Sequence, residues 1–213
     1  NFSLNGYEKE TNPLLKQQEN LLSFKDIQSC GTATAILVPC MFSRLTRAEF
    51  DKKVAEKQDN ALDIIQRAGY KVLWRENDNG CKGVCARVTT EEVREYSQEK
   101  PMMNGLYFDE ELLIGLEDYI EEQTSDNLVI VLHMNGSHGP TYYQRYPDAF
   151  KKFTPSCDTN RIETCDTEHL VNTYDNTILY TDFVLNSTIE LLKQYDAEYD
   201  TSMLYISDHG ESL

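Results

Sequence analysis

The order of apolar and polar residues along the chain alternates between helical and strand patterns. Residues 60–70 place apolar side chains at helical spacing and end at a glycine, and residues 71–75 follow directly as a strand. Residues 127–134 form a continuous apolar run of strand length, which is typical of a strand buried on both faces. A long helix is predicted from about residue 169 to residue 195, and residues 202–207 form another short buried strand. This alternation predicts an α/β fold with a mostly parallel sheet covered by helices.

Polar residues cluster where two of the predicted strands end. The run at 127–134 is followed by His138, and the last strand is followed by Asp208, His209 and Glu211. Parallel sheets bind ligands beyond the carboxyl ends of their strands, so both places are candidate sites. An adjacent carboxylate and imidazole suit Zn²⁺ or Mn²⁺, and the alternative is an aspartate that caps a turn beside a solvated histidine. His138 would bind a phosphate oxygen or donate a proton, unless it is a loop histidine bonded to backbone.

Two threonines and a lysine lie between cysteines. Thr32 and Thr34 stand between Cys30 and Cys40, just before an apolar run. A threonine hydroxyl is a poor nucleophile unless a metal ion or a helix N-terminus stabilises its negative charge. The alternative is that one of the threonines is an ordinary helix N-cap. Lys82 would present a fixed positive charge to an anionic substrate, and the alternative is a solvated lysine.

Length and charge limit the class of protein. The 213 residues suffice for one sizeable α/β domain, and 40% hydrophobic residues are enough for a core. A formal net charge of −16 argues against nucleic-acid binding and against a generic surface that binds anionic membranes. No apolar run in this sequence reaches membrane-spanning length, and no stretch of it has the pattern expected of a signal peptide.

The six cysteines fall into three close pairs along the sequence. An even number of cysteines at short range suggests disulfides and an oxidising compartment. The alternatives are reduced thiols or a zinc site that uses the C-x3-C spacing of one pair. The pairs are Cys30 with Cys40, Cys81 with Cys85, and Cys157 with Cys165.

Three motifs follow one another along the chain, namely SCGTATAILVPCMFS, VLHMNGSHGP and YISDHGES. Together with NGYEKETNPLL, GYKVLWREND and FKKFTPSC, they resemble the periplasmic catalytic domain of the phosphoethanolamine transferases that modify lipid A. The mobile colistin-resistance enzymes belong to that family. The resemblance runs through nearly the whole chain, and it implies an α/β sandwich of the alkaline phosphatase and sulfatase type.

The resemblance also implies a role for individual residues. Thr34 matches the nucleophile that carries phosphoethanolamine as a covalent intermediate and also binds the metal, and Asp208 and His209 match two zinc ligands. His138 matches a histidine that contacts the phosphoethanolamine group or a second metal, and Lys82 matches a lysine of the donor site. The implied cofactor is therefore one zinc ion or two. The three cysteine pairs match family disulfides.

The resemblance further implies partners and a location. Phosphatidylethanolamine would be the donor and lipid A, or a related surface glycolipid, the acceptor. Residues 1–213 would be part of a single periplasmic catalytic domain, anchored in the bacterial inner membrane by an N-terminal domain and acting as a monomer. A glutamate ligand upstream and a histidine downstream would lie outside this sequence, so we expect the piece alone to be inactive or poorly active.

The sequence leaves two alternatives to a phosphoethanolamine transferase open. The first is another enzyme of the same fold, such as a phosphoglycerol transferase, a phosphohydrolase or a sulfatase. A sulfatase would need a cysteine or serine nucleophile in a C/S-x-P-x-R context, and no such arginine follows Thr34. The second is a disulfide-stapled binding module without catalysis. Metal content and covalent loading of the protein distinguish these readings.

Overall fold

The fold is that of a computed structural model, which describes residues 1–102 and 105–210. Its helices are α1 (Thr34–Met41), α2 (Lys52–Ala55), α3 (Ala61–Arg67), α4 (Val93–Tyr96), α5 (Leu116–Glu121) and α6 (Thr167–Lys193). Its strands are β1 (Lys71–Glu76), β2 (Thr89–Glu92) and β3 (Leu128–His133). Short 3₁₀ turns lie at Ser3–Asn5, Leu15–Gln17, Asp109–Leu113, Tyr142–Gln144, Asp148–Phe150 and Ile162–Thr164.

The three strands form one parallel sheet in the order β2-β1-β3, which confirms the predicted parallel arrangement. The register pairs Lys71 with Leu128 at one end and Glu76 with His133 at the other. The carboxyl ends of β1 and β3 therefore meet at the same edge. Strand β3 is half-buried along its whole length, so the prediction of a strand buried on both faces was wrong in degree.

Helices cover both faces of the sheet because the side chains of β1 alternate between them. Val72 and Trp74 pack with Val38 of α1 and Leu62 of α3 on one face. On the other face, Leu73 packs with side chains of α5 and α6. Burial of this kind supplies most of the stability of the layers, at roughly 25 cal/mol per Å² of apolar surface. The predicted sheet flanked by helices is confirmed.

Helix α6 covers nearly the range predicted for it, but much of its buried surface is polar. Asp175 accepts hydrogen bonds from Lys9 Nζ and the Tyr7 hydroxyl, both at 2.8 Å. Asp182 accepts the backbone N–H groups of Leu14 and Leu15. Polar contacts therefore fasten the N-terminal segment to this helix. Neither α6 nor any other helix in the described part of the chain combines the length and the apolar character needed to cross a bilayer.

The predicted strand at residues 202–207 is absent from the sheet. The segment is irregular, and Leu204 is 76% exposed. Within the residues that the structure describes, no neighbouring strand pairs with its backbone. An apolar run becomes a strand only where another strand accepts and donates its ladder hydrogen bonds, which explains the difference from the sequence pattern.

Candidate active site

Thr34 and Asp208, which are 174 positions apart in the sequence, are in direct contact. Thr34 is the first residue of α1, and its hydroxyl donates a hydrogen bond of 2.8 Å to Asp208 Oδ2. Ala33 is the N-cap of the helix, so the alternative that Thr32 or Thr34 serves as the cap is wrong. The threonine hydroxyl thus lies at a helix N-terminus, where the backbone dipoles favour negative charge.

His209 completes a small group of potential metal ligands. Its Nε2 lies 3.7 Å from Asp208 Oδ2, and its Nδ1 lies 3.0 Å from the carbonyl oxygen of Gly210. Because a carbonyl oxygen only accepts hydrogen bonds, Nδ1 carries the proton and the lone pair is on Nε2. A histidine that is held in this way by a carbonyl is the usual form of a metal ligand. Thr34 Oγ1, Asp208 Oδ2 and His209 Nε2 therefore fit a zinc ion in their donor types. Glu211 lies outside the described residues.

Disulfides hold the loops around this group. All three predicted pairs are joined in the structure. The first bond ties the turn before Thr34 to the last turn of α1, and the second closes the loop that carries Lys82. With its sulfurs in a disulfide, the C-x3-C pair cannot serve as a zinc site. The pairs are Cys30–Cys40, Cys81–Cys85 and Cys157–Cys165.

Lys82 lies in a disulfide-closed loop beside α1. Its backbone has a φ of 52°, in the left-handed region, and its Nζ donates a hydrogen bond to the carbonyl oxygen of Asn79. Cys81 and Val84, which flank it, pack in the same cluster as Val38 of α1. The lysine is half-buried. The loop that carries it therefore lies against the helix that begins at Thr34.

His138 follows β3 and is exposed. Its Nδ1 lies 2.7 Å from the carbonyl oxygen of Gly139, so the backbone-bonded form weighed for this histidine is present. Because β1 and β3 are parallel neighbours, the loops with Lys82 and His138 leave the sheet at the same edge. The structure brings Thr34, Asp208 and His209 together. Within the described part of the chain, no hydrogen bond joins Lys82 or His138 to them.

Sequence reasoning missed Glu76, which ends β1 and pairs with His133 at the end of β3. His133 Nδ1 lies 2.9 Å from both carboxylate oxygens, and Trp74 Nε1 donates a hydrogen bond to Oε2. This contact satisfies His133 at the end of the strand. With Asp78, the pair offers three potential ligand atoms within 4.8 Å of one another. The signal in the sequence was an acidic residue directly after a predicted strand.

Burial and pairing shift the pKa values of Glu76 and His133 in opposite directions. Burial would raise the pKa of Glu76, but hydrogen bonds and the charge of His133 together hold that pKa below its ordinary value. Burial would also lower the pKa of His133, but the hydrogen bond and charge of Glu76 raise it above its ordinary value. The two residues therefore form an ion pair at mildly acidic pH.

Replacing His133 with glutamine should lower the free energy of unfolding by about 3 kcal/mol, because it leaves a buried carboxylate without its partner. The depressed pKa of Glu76 makes its contribution disappear as pH falls, and the raised pKa of His133 makes its contribution disappear as pH rises. The loss should therefore be largest between pH 4.5 and 6.5, the ordinary values of the two groups. Denaturant unfolding of both proteins over a range of pH measures it. His169→Gln on α6 is the control, and an equal loss at every pH would contradict the ion pair.

The comparisons with known proteins agree with the fold. The sequence model of the family described as Sulfatase matches residues 1–213. The chain belongs to the sulfatase family. This membership confirms the predicted fold of the sulfatase and alkaline phosphatase type.

Its relatives include named phosphoethanolamine transferases. The chain is 54% identical to phosphoethanolamine transferase EptA of Escherichia coli K12, over all of this chain and 39% of that protein. It is 40% identical to phosphatidylethanolamine transferase Mcr-1 of Escherichia coli, over 99% of this chain and 40% of that protein. It therefore spans about two fifths of the length of these curated relatives.

A solved structure is similar over most of the chain. The soluble domain of lipooligosaccharide phosphoethanolamine transferase A from Neisseria meningitidis superposes with a TM-score of 0.87 at 46% identity. The match covers 92% of this chain and 58% of that one. The resemblance to phosphoethanolamine transferases that the motifs indicate thus extends to the three-dimensional fold.

Proposed function

We propose that this chain is part of the catalytic domain of a zinc-dependent phosphoethanolamine transferase. The donor is phosphatidylethanolamine, and the acceptor is lipid A or a related surface glycolipid. The product carries extra positive charge on the glycolipid, which weakens binding of cationic polymyxins such as colistin. Similarity to named transferases at 54% and 40% identity supports this proposal.

One observation carries the proposal, the hydrogen bond from Thr34 to Asp208 at the start of α1. The threonine oxygen attacks the phosphorus of the donor, and its proton passes to the acceptor already in contact with it, Asp208 Oδ2. A bond from Thr34 Oγ1 to phosphorus forms while the bond from phosphorus to the diacylglycerol oxygen breaks. Diacylglycerol leaves and takes up a proton from water. The enzyme then holds a phosphoethanolamine ester on Thr34.

The second half of the cycle regenerates the free hydroxyl of Thr34. A phosphate oxygen of the acceptor attacks the phosphorus of the ester, and the bond to Thr34 Oγ1 breaks. The threonine oxygen regains a proton from Asp208. Lys82 lies on the loop beside α1 and would bind a negative phosphoryl oxygen, and His138 would contact the phosphoethanolamine group. The reaction thus follows a ping-pong order.

The zinc ion would be held by Thr34 Oγ1, a carboxylate oxygen of Asp208 and His209 Nε2. These atoms combine two oxygens with a nitrogen, the donor types that zinc takes in catalytic sites. When bound, zinc would lower the pKa of the threonine hydroxyl and neutralise charge on the phosphoryl oxygens. A second zinc ion, beside His138, is part of the same proposal.

Similarity to these relatives also supports a location and a domain assignment. The solved relative from Neisseria meningitidis is a soluble domain, and another structure shows that transferase as an integral membrane protein. We place residues 1–213 in one periplasmic catalytic domain of a protein of the bacterial inner membrane, acting as a monomer. The disulfides fit the oxidising periplasm.

Intact-mass measurement tests the proposal directly. The full-length protein, purified with zinc, is incubated with phosphatidylethanolamine, and peptide mapping then locates any added mass. A phosphoethanolamine increment on the peptide that contains Thr34 is expected. A parallel incubation uses phosphatidylglycerol. An increment of phosphoglycerol in that sample would instead indicate a phosphoglycerol transferase of the same fold. Folded, zinc-loaded protein that gains no mass from either lipid would refute covalent transfer and favour a binding module.

A further inference from the structure

We propose that Asp109 and Arg145 are positioning residues, which fix the turn at residues 135–139 and thereby aim the ring of His138. The inference rests on the proposed function, in which His138 contacts the phosphoethanolamine group. Neither residue stands out in the sequence. Both are buried charged groups that bond to the backbone of this one turn, so their common effect is on its shape.

Asp109 holds the first half of the turn. Its carboxylate accepts the backbone N–H groups of Asn135 and Gly136, both at 2.8 Å, and a third hydrogen bond from Asn77 Nδ2. The residue is only 3% exposed. Burial raises the pKa of its carboxyl group, and the three hydrogen bonds oppose that rise. A carboxylate this deeply buried is costly unless its hydrogen bonds compensate, so it is held in one geometry.

Arg145 holds the second half of the turn. Its Nε donates a hydrogen bond of 2.9 Å to the carbonyl oxygen of His138, and the residue is 7% exposed. Its Nη1 has no hydrogen-bond partner within the described residues. A buried, unpaired N–H group costs stability, while the charge of Asp109 favours the guanidinium. Beside this electrostatic contact, the hydrogen bond to the backbone of His138 gives Arg145 a positioning role.

The consequence for His138 is a defined tautomer. The carbonyl oxygen of Gly139 accepts a hydrogen bond from Nδ1, which leaves a lone pair on the exposed Nε2. The backbone at Gly139 lies close against the Tyr142 side chain, since a Cβ atom there would be 2.5 Å from its hydroxyl oxygen. Nε2 is therefore held ready to accept a proton or to bind a metal. If the turn relaxes, the ring of His138 is still present but is no longer held in this tautomer.

A double-mutant cycle in the full-length protein tests the inference. Asp109→Asn places an NH₂ group against one of the two backbone donors, and it should slow transfer to the acceptor by about 10–100-fold. His138→Ala should have a similar effect. If Asp109 acts through His138, the double variant should be no slower than His138→Ala alone. Two effects that multiply in the double variant would overturn the inference, and so would a normal rate for His138→Ala.

Matched variants separate positioning from general destabilisation. Asp182→Asn changes another buried carboxylate that accepts two backbone N–H groups, those of Leu14 and Leu15. It should lower the melting temperature yet keep the transfer rate within about twofold, since it touches no part of the turn. If Asp109→Asn does not fold, Arg145→Met carries the same test. Its control is Arg87→Met, which removes the arginine that pairs with the buried carboxylate of Asp63 on α3.

Nitrogen NMR of the histidine rings gives a readout that does not depend on transfer. Long-range ¹H–¹⁵N spectra of the wild type should show His138 as the tautomer protonated at Nδ1. In Asp109→Asn or Arg145→Met the ring signals should move toward an average of the two tautomers. Unchanged ring signals in a variant that folds would overturn the inference, even if the rate falls. If the wild type transfers nothing, the proposed function fails, and the spectra still decide whether the two residues fix the ring.

Discussion

Replacing Thr34 with alanine should reduce transfer of phosphoethanolamine to lipid A by at least about 1,000-fold. The reason is that the variant has no oxygen at the start of α1 to attack phosphorus, and Asp208 loses the proton donor that now contacts it. The measurement is mass spectrometry of lipid A after reaction with the purified full-length protein. The mass increment on the protein itself should disappear as well.

Thr32 offers a matched control in the same disulfide-bonded turn. It is exposed and lies two residues before Thr34, outside the helix. Thr32→Ala should retain transfer within about twofold and should still acquire the increment. Thr34→Ser should keep part of the activity, because it restores a hydroxyl. If Thr34→Ala transferred within tenfold of the wild type, the nucleophile would have to be another group, and the proposed mechanism would be wrong.

The elements that could be predicted from the sequence are those with a strong local pattern. The apolar runs of β1 and β3 and the helical spacing of α3 and α6 depend on neighbouring residues only, so periodicity finds them. Residues 202–207 show the limit of this reasoning. Their apolar run has strand length, but a strand also needs a partner elsewhere in the fold, which a local pattern does not contain. The polar surface of α6 was missed for the same reason, because Asp175 and Asp182 are buried by groups that are far away in sequence.

Some residues of the candidate site could be predicted from the sequence, and others could not. The apolar run before them predicted that Asp208 and His209 follow a strand, which the structure does not have, and only the family resemblance connected them with Thr34. Their contact in the structure agrees with that connection. Glu76 lies in the segment GYKVLWREND, to which the resemblance assigned no role, and Asp109 lies in no quoted motif. Whether an acidic side chain is solvated or buried depends on what packs over it, and this is a property of the tertiary structure.

Replacing Asp208 with asparagine should remove the bound zinc ion and lower transfer by at least about 100-fold. The substitution keeps the size of the side chain but removes the negative charge that lies between the Thr34 hydroxyl and His209 Nε2. A neutral amide is a much weaker ligand for zinc than a carboxylate. Elemental analysis of the purified protein measures the zinc. A chelator that lowers the melting temperature of the wild type should have no such effect on the variant.

A substitution in a second acidic cluster tests whether the loss of zinc is specific to Asp208. Glu76, Asp78 and His133 also bring potential ligand atoms together, within 4.8 Å. Both Glu76 oxygens already contact His133, however, and Trp74 donates to one of them, so this group is satisfied as an ion pair. Asp78→Asn should therefore leave the zinc content unchanged. If Asp78→Asn lost the metal and Asp208→Asn kept it, the zinc would belong at the ends of β1 and β3, and the hydroxyl of Thr34 would have to be activated by Asp208 and the helix N-terminus alone.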